Sequence, residues 1–304
     1  MQIARLVNRR GTRILMYHRF PQDTRALEWQ CSHIRNHYKP LRLDKWADNG
    51  AAPSVTNSLI VTVDDGYRDF LLYGFPVFRA FDIPCTVYLV SDFLDQKLWM
   101  WWDQLAFAFR HTKRDSLTFT LAQDDLSFQL KDDAQREALG ADIANRLTQV
   151  TNSERLRLVK LIPELLEVEI PATPPAEFEA LKWEEVRQLA KDGVAFGAHT
   201  VTHPILSRLS DSQQKRKEIE DSKLRIQQEL DQPVQHFCYP NGLNGDFDEE
   251  TVDIVKQAGF KTATTTERGL NFPGSQPFTL RRLGIDPDLP RNYFTELLAG
   301  ARKQ

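Results

Sequence analysis

The sequence predicts an α/β fold, a barrel of about seven parallel strands broken by one mostly helical insertion. Three observations carry this. A short β-rich apolar run, a polar loop and a helical pattern recur along the chain, which is how strand-and-crossover folds read. Four of the runs end directly in a histidine, a carboxylate pair or a Pro-Asn-Gly segment, as strands do when their C-terminal ends converge on one working face. Finally, the 304 residues exceed the usual single domain, and one α/β barrel of roughly 250 residues plus an insertion uses them up.

The predicted strands are Arg13–Tyr17, Leu59–Val63, Cys85–Val90, Val194–Ala198, His236–Tyr239, Lys261–Thr265 and Thr279–Ile285. Helices lie between them. The clearest is expected from about Asp211 to Leu230, with Ser210 and Gln213 spaced as a capping box and Pro233 just past its end. From about residue 95 to 180 the rhythm breaks. This stretch holds Trp99, Trp101 and Trp102, a small hairpin around Asp124-Asp125 and two charged helical segments, then Pro171, Pro174 and Pro175 in a loop. It reads as a mostly helical insertion into one domain spanning residues 1–304.

Composition excludes several classes. Hydrophobic residues make up 41% and charged residues 27%, an ordinary globular balance. With 39 basic and 42 acidic side chains the net charge is −3, which gives no reason to expect nucleic acid or an anionic membrane as the main partner. Apolar runs such as Thr86–Val90 are strand-sized, far below the ~20 residues of a membrane span. The N-terminal segment has Arg5, Arg9 and Arg10 but no apolar h-region, so no signal peptide is read and a cytoplasmic location is expected. Cys31, Cys85 and Cys238 are too few, and odd in number, for a disulfide framework.

Chemistry concentrates where strands end. His18 follows Arg13–Tyr17, Asp64-Asp65-Gly66 follows Leu59–Val63, His199 follows Val194–Ala198 with His203 four positions on, and Pro240-Asn241-Gly242 follows the next strand. Adjacent carboxylates at a buried strand end repel and are costly unless something positive stands beside them. A divalent cation serves: Asp65 ligates it while Asp64, turned the other way by strand alternation, stays free as a base. The bland alternative is an Asp-Asp-Gly turn. Two imidazoles separated by three residues reach one ion from a turn, and Pro204 disfavours helix at His203, which places both at a strand end. One carboxylate and two imidazoles leave coordination positions open, as catalytic sites do. The chemistry implied is hydrolysis of an amide or ester, with zinc first among the metals and cobalt, nickel or manganese as alternatives.

These residues resemble the NodB-type polysaccharide deacetylases, carbohydrate esterase family 4. Thr62-Val63-Asp64-Asp65-Gly66 is similar to that family's first motif, His199-Thr200-Val201-Thr202-His203-Pro204 to its second, and Phe237-Cys238-Tyr239-Pro240-Asn241-Gly242, more loosely, to its third. The resemblance implies a distorted (β/α) barrel that removes acetyl groups from N-acetylated sugars, or from O-acetylated xylan. It implies Asp64 as base, Asp65, His199 and His203 as metal ligands, and the Asn241 backbone N–H at the oxyanion; Tyr239 and Tyr67 are expected beside the substrate.

Two departures stand out. Cys238 occupies the place of an arginine that orients the base, and no histidine follows His236 to act as the late general acid. Ile14-Leu15-Met16-Tyr17-His18-Arg19 resembles the opening of the branch that includes bacterial poly-N-acetylglucosamine deacetylases, where an N-terminal histidine supplies the acid. His18 is therefore expected to protonate the leaving amine. Arg282, or Arg281 beside it, is expected to replace the missing arginine, with Arg19 a weaker choice. Tyr67, Trp99, Trp101 and Trp102 can stack on sugars, although aromatic residues at such spacing more often fill a core. Cys238, with nothing nearby in sequence to lower its pKa, reads as a small buried residue and not a nucleophile. Two rivals remain: an O-acetyl esterase or small amidase of the same fold, and a catalytically silent carbohydrate-binding protein.

Overall fold

A computed structural model describes residues 2–48 and 55–301. Its strands are β1 (Arg13–Tyr17), β2 (Lys39–Pro40), β3 (Ser58–Val63), β4 (Cys85–Leu89), β5 (Ser116–Leu121), β6 (Asp124–Gln129), β7 (Ala195–Ala198), β8 (His236–Cys238), β9 (Thr262–Arg268) and β10 (Leu280–Gly284). Seven of them form a closed parallel barrel in the order β1-β10-β9-β8-β7-β4-β3. Closure comes from β3 pairing back onto β1 over five register positions, from Arg13↔Leu59 to Tyr17↔Val63. These are the seven strands expected from the sequence. The short β2 was not expected; it pairs only with the start of β3, and two residues ending in proline carry no alternation to read.

The strands form where they do because β-branched and aromatic residues fill them and because they are buried throughout, as Ser58–Val63 and Cys85–Leu89 are. Gly197 marks a place where β7 must run close to its neighbours. A Cβ there would stand 2.5 Å from the Tyr88 ring and 2.8 Å from the His236 carbonyl oxygen. The long helix runs Ser212–Leu230, and its cap is a correction to the capping box expected at Ser210. Asp211, one residue later, has the extended backbone and accepts from the Gln213 N–H, so the carboxylate takes the donor that Ser210 was expected to take. At the other end Asp231 closes the helix in the left-handed conformation.

The chain divides into two compact units, one built from residues up to Gln96 and from Glu179 onward, the other from Lys97–Phe178. The second unit holds the helices Trp101–His111, Asp133–Leu147 and Asn152–Leu165 and the antiparallel hairpin β5–β6. It has its own apolar core, including Leu105, Phe109, Leu117, Ile143, Leu158 and Ile162. Trp99 is buried against Phe107 and Phe178, and Trp101 packs on this core under Arg155. Trp99 is thus a core residue of that unit, and Trp101 lines its core half-buried. Among the described residues no helix is long and apolar enough to cross a membrane.

Candidate active site

Alternation along β3 puts Ile60, Thr62 and Asp64 on one face of the strand and turns Asp65 away. At Asp65 the backbone enters the left-handed region, φ 73°, and Gly66 follows at φ 89°. A side chain at Gly66 would meet Leu89 Cδ2 at 2.9 Å, so the turn needs glycine there. Asp64 is tied into the barrel through its N–H, which donates to the Tyr17 carbonyl at 2.9 Å.

Asp64 meets Arg282 in a two-pronged pair, Nη1 to Oδ1 and Nη2 to Oδ2, each 2.7 Å, with both side chains almost wholly shielded from water. The guanidinium also donates to the Thr265 carbonyl at 2.7 Å, to Thr62 Oγ1 at 3.1 Å and to Cys238 Sγ at 3.0 Å. Burial alone would raise the Asp64 carboxyl; the Arg282 charge outweighs it and holds the group well below the usual carboxylate range. Cys238 lies beside the pair, its Sγ 3.6 Å from Asp64 Oδ2, and its thiol is pushed well up by burial. Arg281, next door, is exposed and its N–H donates to Asn271 Oδ1 at 2.9 Å, so of the two only Arg282 reaches Asp64. Arg19 is likewise elsewhere, paired with Asp69 at 2.6 Å.

His199 ends β7, its N–H donating to the Leu89 carbonyl at 2.9 Å. Its Nδ1 lies 2.7 Å from the Cys238 carbonyl oxygen, which can only accept. The proton is therefore on Nδ1 and the Nε2 lone pair is free. Nε2 of His199 and Nε2 of His203 stand 3.2 Å apart, and each is 3.5 Å from Asp65 Oδ1. All three side chains are buried. Asp65 Oδ1 accepts no hydrogen bond among the described residues. Burial pushes the Asp65 carboxyl up to about 7, with His199 pulling it back and Asp64 adding to the rise.

Three ligand atoms thus converge in a shielded space, one of them a buried carboxylate oxygen that no described residue satisfies. That donor set fits a divalent cation bound by two imidazoles and one carboxylate. A second trio, Asp64, His199 and Cys238, is also close enough. It fits worse, because Arg282 already occupies Asp64 and the sulfur, and the thiol is held protonated.

The backbone around the triad is held in rarely populated conformations. Thr200 at φ 68° and His203 at φ 56° join Asp65, and Asn241 at φ 61° lies beyond β8. A β-branched residue such as Thr200 avoids this region, and each such position costs roughly 1–3 kcal/mol unless its surroundings impose it. The surroundings do so here. Thr200 Oγ1 accepts from the His203 N–H at 3.1 Å, and the N–H groups of Ser91 and Asp92 donate to the Thr200 and Val201 carbonyls. From the other side Glu218 accepts from Val201 and Thr202. Sequence reasoning missed Glu218, because a glutamate inside the charge-rich helix Ser212–Leu230 looks like part of a solvated face.

His18 Nε2 is 3.6 Å from Asp64 Oδ2, and 44% of its side-chain surface is exposed. The surrounding protein still strips enough water from the ring to lower its pKa below the ordinary value, with Asp64 opposing the shift. Asn241 points its side chain back to Asp246 at 3.0 Å, while its N–H donates to no described residue.

At two of the positions expected beside the substrate the side chains are covered. Tyr67 is 1% exposed, its ring covered by the Arg19 guanidinium at 4.0 Å and by Phe93, so no face is open to a sugar. The Tyr239 side chain is fully buried, stacked on Phe247, with its hydroxyl donating to the Phe278 carbonyl at 3.0 Å. In both cases the side chain completes the packing below the strand ends.

Fold and site together define a parallel-barrel protein with a buried two-histidine, one-carboxylate triad beside a second, arginine-locked carboxylate. The chain belongs to the polysaccharide deacetylase family, whose model matches residues 52–263. YxkH of Bacillus subtilis (strain 168) is 27% identical over 111 residues, which is 36% of this chain; the match spans 38% of that relative's length. Among solved structures, the chain is similar to the deacetylase PplD of Streptococcus pyogenes, determined in complex with acetate. That comparison has TM-score 0.62 and 15% identity over 95% of this chain and 98% of that one. It is also similar to IcaB from Ammonifex degensii, with TM-score 0.60 and 16% identity over 96% of this chain and 97% of that one.

Proposed function

We propose that this chain is a metal-dependent hydrolase that removes N-acetyl groups from amino sugars of a polysaccharide, an oligosaccharide or a glycan precursor, acting as one deacetylase domain with residues 95–180 inserted. The observation that carries the reading is the unlike pair of carboxylates ending β3. Asp64 is locked ionised by Arg282, while Asp65 leaves a buried oxygen open toward two imidazole nitrogens. Asp65, His199 and His203 would hold the cation, for which zinc suits the donor set best and cobalt, nickel or manganese are alternatives. Once bound, such an ion supplies Lewis-acid polarisation of the acetyl carbonyl and lowers the pKa of water.

This chain's own residues do the rest. Each Asp64 oxygen retains a lone pair beyond its bond to Arg282, so the carboxylate can take the proton of the attacking water. Arg282 keeps that carboxylate ionised and aimed. The Asn241 N–H is the backbone donor for the developing oxyanion. His18, beside Asp64 and open to solvent, delivers a proton to the nitrogen as the C–N bond breaks, so that a neutral amine and acetic acid depart, the acid then losing its proton to solvent as acetate. An amine leaves only with a proton, and an imidazole placed as a proton donor favours the amide over the ester.

The test is acetate release from N-acetylglucosamine oligomers and from O-acetylated xylan fragments, run with metal analysis of the purified protein. The expected result is acetate from the oligomers and a stoichiometric divalent ion, with both lost in Asp65→Ala and His199→Ala. A full metal complement in either variant would remove the ligand assignment. Acetate from xylan alone would make the protein an esterase, and none from either substrate with metal in place would make it a binding protein.

A further inference from the structure

The segment joining the two histidines has no regular structure of its own. It must hold Thr200 and His203 in the left-handed region while Val201 and Thr202 bridge them. Its carbonyls at Thr200 and Val201 are taken by the N–H groups of Ser91 and Asp92, at 3.2 and 3.0 Å. Two of its N–H groups are taken by one side chain. Glu218 Oε2 accepts from Val201 and Thr202, both at 2.8 Å, and Oε1 accepts from the Thr202 hydroxyl at 2.6 Å. Glu218 sits on the helix Ser212–Leu230, a rigid element beyond the site. Deleting its carboxylate strands two backbone donors and removes the clamp on one side of the loop. The strained conformers at Thr200 and His203 are then free to relax, which parts the two Nε2 atoms.

We propose that Glu218 is the positioning residue of the metal centre, clamping the Thr200–Thr202 loop so that His199 and His203 converge on one cation. The inference rests on the cation reading of the Asp65, His199 and His203 triad. Glu218 touches neither the ion nor the substrate, so its effect belongs in metal retention and loop order.

The experiment is a competition titration of zinc between the full-length protein and a chromophoric chelator, with amide hydrogen exchange of the metal-free protein. Glu218→Ala should weaken zinc retention by ~10–100-fold, the usual effect of removing a group that orients ligands. Exchange at Val201 and Thr202 should quicken while the thermal midpoint of the metal-free protein stays put. Glu218→Gln should rescue, because its amide oxygen can take both N–H groups and its NH2 can donate to Thr202 Oγ1. Should Glu218→Ala fail to fold, Thr202→Val deletes a single bond of the clamp and is expected to weaken zinc several-fold. Zinc retention unchanged in Glu218→Ala, or in Thr202→Val as its substitute, overturns the proposal, as does a lowered midpoint with unchanged retention. Asp65→Ala separates the two levels. If it binds zinc as well as the unmodified protein, the triad reading itself falls and takes Glu218's role with it; if it does not, an unaffected Glu218 variant sinks only the clamp.

Discussion

At the N-terminal ends of the strands the barrel is filled by Ile14, Ile60 and Leu280, packed over Leu43 and Trp46 of the helix Leu43–Asp48. At the C-terminal ends, four residues further along β3 and two along β10, stand the buried Asp64 and Arg282, with His199 just past the end of β7. Among the polar groups at the apolar end, Trp46 Nε1–H donates to Thr12 Oγ1 at 3.0 Å, which pairs with Ser58 Oγ at 2.8 Å, while Arg13 Nη2 and His236 Nε2 have no hydrogen-bond partner among the described residues. The charged end instead leaves open a carboxylate oxygen that faces two imidazoles. Both Asp64 oxygens accept from Arg282, whereas Asp65 Oδ1 accepts no hydrogen bond among the described residues. One strand, β3, passes through both environments as Ile60, Thr62 and Asp64. The lesson is that packing supplies stability at one end so that the other can hold buried charge and strained backbone, which are costly alone and useful around a cation.

Breaking the charged end should cost activity and leave the fold. Asp64→Asn and His18→Ala are each expected to lower turnover ~10²–10⁴-fold, the range for an acid–base group, while retaining metal. Acetate-release rates beside metal analysis check this; a near-normal rate in either variant removes that residue from the chemistry. Breaking the apolar end should do the reverse. Trp46→Ala is expected to cost ~3–5 kcal/mol in denaturant unfolding, with an unaltered rate per folded molecule. A lost rate at intact stability would mean that the two ends are coupled.

The smallest expected effect sharpens the comparison through pH. His236 is buried at the start of β8, with Nδ1 on Thr262 Oγ1 at 2.8 Å, and burial pushes its pKa down to about 4. The unfolded chain takes up this proton near the ordinary value of about 6.5, the folded chain only near 4. The unfolded state therefore binds more protons between those values, and stability is full above about 6.5 and falls as pH drops toward 4. From pH 7 to pH 5 this amounts to about 2 kcal/mol. On going from pH 7 to pH 5 the unmodified protein should lose this much more stability than His236→Gln in urea unfolding; an equal change in both would mean that His236 is not held neutral.

Local pattern was enough to locate all seven barrel strands, because buried strands are written as short runs of β-branched and aromatic residues. It also located Asp64, Asp65, His199 and His203, because a strand end has to state its chemistry within a few residues. What local pattern could not decide was which distant groups those residues meet. Arg282 and Arg281 are adjacent and alike in sequence; only β10 closing against β1 points the first inward, 218 residues from the carboxylate it holds. Tyr67 and Tyr239 look available to a sugar until Arg19, Phe93 and Phe247 are seen covering them. Glu218 reads as one more surface charge until the helix docks its carboxylate onto the loop between the histidines. The physical reason is one of range. Side-chain periodicity and backbone preference act over a few residues and are legible in the chain, whereas charge pairing and burial depend on which strands the closed barrel sets side by side.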